Sequence, residues 1–119
     1  MKFLLVSLVL SASALPASAQ TVVGRFQVQG TNLDGSPYRG TAQVSAVSDT
    51  TCTIAWQTGD TTSRGICMRQ GDVFVAGYKM GDAIGLATYR WRNGSEYLDG
   101  TWTIAGQSGT GTERLIPMR

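Results

Sequence analysis

The chain has 119 residues, with 10 Lys and Arg against 8 Asp and Glu and no His. Charge this balanced and dispersed gives no electrostatic footprint for nucleic acid or for an anionic membrane surface. Without His there is no histidine-based triad, no Cys–His dyad and no His-containing zinc site, and two cysteines cannot close a zinc site alone.

The first element in chain order is a targeting segment. Lys2 precedes the apolar stretch from Phe3 to Leu10, and Pro16 leads into Ala17-Ser18-Ala19. A positive start, a short apolar run and an A-x-A site are the parts of a secretory signal peptide. A spanning helix needs about 20 apolar residues, more than this run supplies. Cleavage is expected after Ala19, which makes 20–119 a single small domain with no membrane span in its mature form. Its expected location is periplasmic or secreted.

From residue 22 onward no segment keeps helical spacing. Short alternating runs predict strands over Val22–Gln29, Tyr38–Val47, Thr51–Gln57, Arg64–Arg69, Asp72–Tyr78, Ala83–Arg92, Ser95–Ile104 and Thr110–Ile116. Gly, Asn, Asp and Pro fill the breaks, each suited to a turn. The fold class is therefore all-β, with about eight antiparallel strands in an up-and-down barrel or a strongly coiled meander. A β-sandwich is the alternative.

Two hairpins can be registered. A two-residue loop at Asn93-Gly94 sets Trp91 opposite Glu96, Tyr89 opposite Leu98 and Gly85 opposite Trp102. One face then carries Ala83, Gly85, Ala87, Tyr89 and Trp91 against Leu98, Gly100, Trp102 and Ile104. Large rings over glycines suit a tightly curved interior. The opposite face is mostly polar, but Ile84 and Leu86 lie on it and mark a possible protein contact. The second hairpin, at Gly59-Asp60, sets Cys52 opposite Cys67, so a disulfide is expected in an exported chain. That register sends Ile66 and Met68 outward, which a bulge near Gly65 would relieve.

Chemistry has few residues to use. Glu113 shares a strand face with Leu115; if that face is interior, the carboxylate needs an Arg partner or several hydrogen-bond donors. Glu96 lies beside a turn and points toward a rim. Glu113 and Glu96 form the candidate polar site, structural or ligand-binding. Trp91, Tyr97 and Tyr78 form the candidate aromatic binding surface, although in a domain this size such rings first serve the core. No cofactor or metal is implied. Gly109-x-Gly111 has no helix after it and carries no phosphate-loop signal.

In order along the chain stand Tyr38-x-Gly40, Ile54-x-Trp56-x-x-Gly59, Gly71-Asp72-Val73-x-Val75-Ala76, Asp99-Gly100-x-Trp102 and Gly111-Thr112-Glu113-x-Leu115. This pattern resembles a group of small exported bacterial proteins often labelled fibronectin-binding proteins. The resemblance implies extracellular protein binding and names no contact residue; Cys52 and Cys67 stand outside it. The expected function is a non-enzymatic binding module for a protein, glycan or envelope component. A calycin-like carrier of a small apolar ligand is the alternative, with Trp56, Trp91, Trp102, Tyr89 and Phe74 expected to fill its interior. A hydrolase pairing Glu113 with Glu96 or Asp99 ranks third.

Overall fold

A computed structural model describes residues 22–94 and 96–119. The expected signal peptide and its cleavage site lie outside the described residues. The strands are β1 Gly24–Thr31, β2 Pro37–Ala46, β3 Thr51–Thr58, β4 Thr61–Gln70, β5 Val73–Met80, β6 Ala83–Arg92, β7 Tyr97–Ile104 and β8 Gly111–Pro117. Each pairs antiparallel with the next, and β1 closes on β8, so the domain is a closed up-and-down barrel and not a sandwich. Closure leaves no free sheet edge, which removes a hazard for a small all-β protein. Among the described residues no helix is long and apolar enough to cross a membrane.

Alternation along each strand builds the interior. In β3, Cys52, Ile54 and Trp56 are buried, with Thr51, Thr53 and Gln57 exposed between and beside them. Phe26, Val28, Val44, Phe74, Leu98 and Leu115 join them from other strands, each at most 2% exposed. Burying one such side chain contributes about 1.5–3 kcal/mol, so this layer supplies much of the drive to fold.

The β3–β4 register is the one expected, with Trp56 opposite Ser63, Ile54 opposite Gly65 and Cys52 opposite Cys67. Those two cysteines form a disulfide with Cα atoms 4.9 Å apart. No bulge near Gly65 relieves that arrangement: the ladder runs unbroken from Thr51–Met68 to Thr58–Thr61. Ile66 and Met68 accordingly face solvent. Arg69 reaches the end of its strand, where its guanidinium donates to the Gly71 carbonyl at 3.3 Å.

The β6–β7 register departs from expectation by two residues, with Trp91 opposite Leu98, Tyr89 opposite Gly100 and Gly85 opposite Ile104. Asn93 and Gly94 do adopt positive φ (49° and 73°), but the connection continues through Glu96, whose N–H donates to the Arg92 carbonyl at 3.1 Å. A shift of two preserves which side chains face inward. What it changes is the partner of each ring, and that change has a packing reason. Four interior rings lie directly opposite a glycine on the neighbouring strand: Tyr38 on Gly30, Tyr78 on Gly85, Tyr89 on Gly100 and Trp102 on Gly111. A Cβ built on any of these glycines would meet the ring at 2.2–2.5 Å. Glycine thus leaves room for each ring to lie against the wall of the neighbouring strand.

Candidate functional site

The two ends of the barrel differ. At the end bearing the β2–β3, β4–β5 and β6–β7 connections, apolar side chains and the disulfide fill the interior. Toward the other end, where β1–β2, β3–β4, β5–β6 and β7–β8 turn, the interior holds a cavity of about 270 Å³ that opens between those loops. The expectation that aromatic side chains would fill the barrel fails here. Phe74 and Trp91 pack the closed half, but Trp56, Tyr89 and Trp102, with Tyr38 and Tyr78, border the cavity and leave its centre open.

Glu113 stands in the lining of this cavity and is 7% exposed. Three donors from three strands converge on its carboxylate. The Trp56 indole N–H donates to Oε1 at 2.8 Å, the Tyr89 hydroxyl to Oε1 at 2.7 Å, and the Tyr38 hydroxyl to Oε2 at 2.5 Å. The interior carboxylate therefore finds several donors in place of an Arg partner. Burial raises its pKa above the ordinary carboxyl value, and the bonds from Tyr38, Tyr89 and Trp56 partly oppose that rise. Burial and the neighbouring Glu113 charge push the Tyr78 phenol up to about 12 and hold the Tyr38 and Tyr89 phenols well above their ordinary value. All three stay protonated donors across the physiological range.

The walls are locked in place by their own polar atoms. Tyr78 donates its hydroxyl to the Thr103 carbonyl at 3.1 Å, and Trp102 its N–H to the Thr112 carbonyl at 3.3 Å. Trp56 meets Tyr78 edge-on with centroids 5.2 Å apart, and Tyr38 meets Trp102 likewise at 6.1 Å. The rings therefore offer faces and edges to the cavity, and Asn32, Thr58, Thr61 and Ser63 add polar groups to its lining.

The other expected site residues are dispersed. Glu96 is exposed in the β6–β7 connection at the closed end, where its carboxylate accepts from Asn93 Nδ2 at 3.4 Å. Asp99 faces outward and takes two bonds from Arg114, at 2.8 and 3.2 Å. Neither carboxylate joins Glu113, so the expected pairing of Glu113 with Glu96 or Asp99 does not form among the described residues. Glu113 is the only carboxylate among the buried residues described.

The expected aromatic surface also divides three ways. Tyr78 lines the cavity. Tyr97 lies on the outer wall beneath the Arg114 guanidinium, 4.0 Å from its ring centre. Trp91 packs into the closed end, and its buried indole N–H finds no acceptor among the described residues. Ile84 and Leu86 are exposed as expected, at 57% and 65%. No three His, Cys, Asp or Glu side chains cluster to hold a metal among the described residues. Sequence reasoning missed Tyr38, Trp56 and Tyr89 as partners of Glu113, because nothing in their local spacing links β2, β3 and β6 to β8.

No protein-family model matches the chain, and no curated protein sequence does. Several solved structures of similar fold are redesigned or de novo designed barrels. A redesigned β-barrel superposes with a TM-score of 0.74 at 18% identity, covering 90% of this chain and 100% of its own. The redesigned barrel mFAP1, solved bound to DFHBI, gives 0.71 at 22% identity over 84% of this chain and 98% of its own. A de novo fluorescence-activating barrel gives 0.67 at 18% identity, over 86% and 98%. At such identities the likeness concerns the fold.

Proposed function

We propose that this barrel is a non-catalytic, calycin-like binder of a small, largely apolar ring compound, taken up at the open end. The cavity carries the reading: about 270 Å³, walled by aromatic rings, with a single buried carboxylate in its lining. Ligand sites are concave, mostly apolar and furnished with a few placed polar groups, at volumes of about 300–1,000 Å³. This cavity, at about 270 Å³, falls just below that range, which suits a compact ligand. The mFAP1 barrel, solved bound to DFHBI, is a precedent for ligand binding in a similar fold. The disulfide is compatible with an exported protein, and we place the protein in the periplasm or outside the cell.

Native mass spectrometry of the protein purified from its own host tests this reading. A small-molecule adduct is expected, and it should be lost in Ala87→Leu, which adds bulk to a cavity-lining position. An adduct that persists in Ala87→Leu, or a protein that never carries one, refutes it.

A second reading keeps the macromolecular partner first expected. Ile66, Met68, Val75, Ile84 and Leu86 are all exposed on the outer wall of β4–β6. Ile66, Gly77 and Leu86 lie in one cross-strand row, which makes the patch continuous. Under this reading Ile66→Lys with Leu86→Lys abolishes crosslinking to an envelope partner and leaves the fold intact; unchanged crosslinking refutes it.

A further inference from the structure

The carboxylate in the cavity has an acceptor site to spare. Trp56 and Tyr89 occupy Oε1, whereas Oε2 receives only the Tyr38 hydroxyl among the described residues. An ionised carboxylate offers about four lone-pair sites, so one on Oε2 is left over. The three groups bonded to the carboxylate are neutral, and no Lys or Arg contributes to its ionisation among the described residues. On the elements packed around it, β2, β3, β5 and β6 present Tyr38, Trp56, Tyr78 and Tyr89, and β1 and β7 present Gly30 and Gly100 at its level. When this carboxyl ionises, its negative charge is hydrogen-bonded but not neutralised, and buried charges ordinarily have a counter-ion.

The surrounding walls suit a positive guest. Tyr38, Trp56, Tyr78 and Trp102 all border the cavity, and aromatic faces attract cations, most strongly where water is excluded. A cationic nitrogen bearing an N–H would supply the missing charge, donate to the open site on Oε2 and set its apolar body among the rings. A neutral guest would leave the charge uncompensated, and an anionic guest would meet repulsion in a low-dielectric site.

We infer that the cavity selects small organic cations, protonated amines or amidines carrying an apolar ring, and that Glu113 is the residue that recognises them. This inference rests on the cavity being a ligand site. It goes further by naming the charge of the ligand and the atom that reads it.

The test is a titration of tryptophan emission with matched probes: phenethylamine and tryptamine, each beside its alcohol and carboxylate counterpart. The amines are expected to bind at least about tenfold tighter than the alcohols, the scale of one hydrogen bond to a charged group, and the carboxylates weakest. Glu113→Gln should remove that margin while alcohol binding persists. Should Glu113→Gln fail to fold, the native protein still decides. Its amine affinity should fall as pH falls through the Glu113 titration, while alcohol affinity stays level, because the facing tyrosines remain protonated throughout. Alcohols binding as tightly as amines, or a flat amine profile, would overturn the cation inference and leave the cavity a ligand site. Failure of all six probes to bind would overturn both.

Discussion

Removing one hydroxyl from the Glu113 network separates its charge-dependent contribution from its packing. Tyr89 is 2% exposed, and its hydroxyl donates to Oε1 at 2.7 Å, so Tyr89→Phe deletes one buried bond and little volume. While Glu113 is ionised the lost bond is charge-assisted and the cost is about 1.5–3 kcal/mol; once the carboxyl is protonated the bond is neutral and the cost falls to about 0.5–1.5 kcal/mol. The sign follows from linkage. A carboxyl with a raised folded-state pKa holds its proton more tightly in the fold, so its contribution to stability is fully present below the unfolded pKa. It is lost as pH rises through the folded value. Tyr89→Phe removes a donor that favours the ionised form, which raises the Glu113 pKa further and steepens that loss. Urea denaturation followed by tryptophan emission, at about pH 4 and about pH 9, brackets the carboxyl range. Groups that titrate alike in both proteins cancel in the difference between them. The variant should lose roughly 1 kcal/mol more at the higher pH. An equal loss at both pH values, or a greater one in acid, would refute the account of Glu113 as a buried carboxylate held by neutral donors.

Four further outcomes follow from the geometry. Gly100→Ala places a Cβ 2.2 Å from the Thr88 carbonyl oxygen and 2.5 Å from Tyr89, and should cost about 1–3 kcal/mol or more in a thermal melt. Gly77→Ala, whose Cβ meets only Leu86 at 3.8 Å, should remain within about 0.5 kcal/mol of the parent, so equal losses at the two positions would discount the ring-on-glycine packing. Reducing the Cys52–Cys67 disulfide, which spans a sequence separation of 15, should lower unfolding free energy by about 3 kcal/mol, read from the urea midpoint with and without reductant. Asp99→Asn breaks a half-exposed ion pair on the outer wall and should change stability by no more than about 1 kcal/mol, with the difference shrinking as salt is added.

How much of this was legible in the sequence depended on how local the cause was. All eight strands could be read from alternation and turn residues, because each signal lies within about ten positions. Cys52 opposite Cys67 followed from a tight turn at Gly59-Asp60. Asn93-Gly94 misled for a physical reason: both residues take the backbone form expected of them, yet the loop runs on to Glu96 because the ring of Tyr89 needs Gly100 beneath it. The inward direction of Glu113 was conditional on Leu115, and both are buried. Its partners were out of reach, since Tyr38, Trp56 and Tyr89 converge only when β1 meets β8 and the barrel closes. The cavity was illegible for a related reason. Residue type says that Tyr and Trp are bulky, whereas the empty centre depends on their lying against glycines of the adjacent strand.

Strand order that follows chain order shapes how this molecule can assemble and be cut. Every pairing but one joins consecutive strands, and the exception, β1 with β8, sets Phe26 beside Pro117. Hairpins can form one after another at small entropic cost, whereas this last seam closes a loop of nearly the whole domain. The chain also enters β1 and leaves β8 at the same end, where Met118 donates to the Arg25 carbonyl at 2.9 Å. A short linker could therefore join those two positions and new termini could be opened in another turn. Cargo joined just before β1 or just after β8 would leave from the plugged side, with the mouth of the cavity unobstructed.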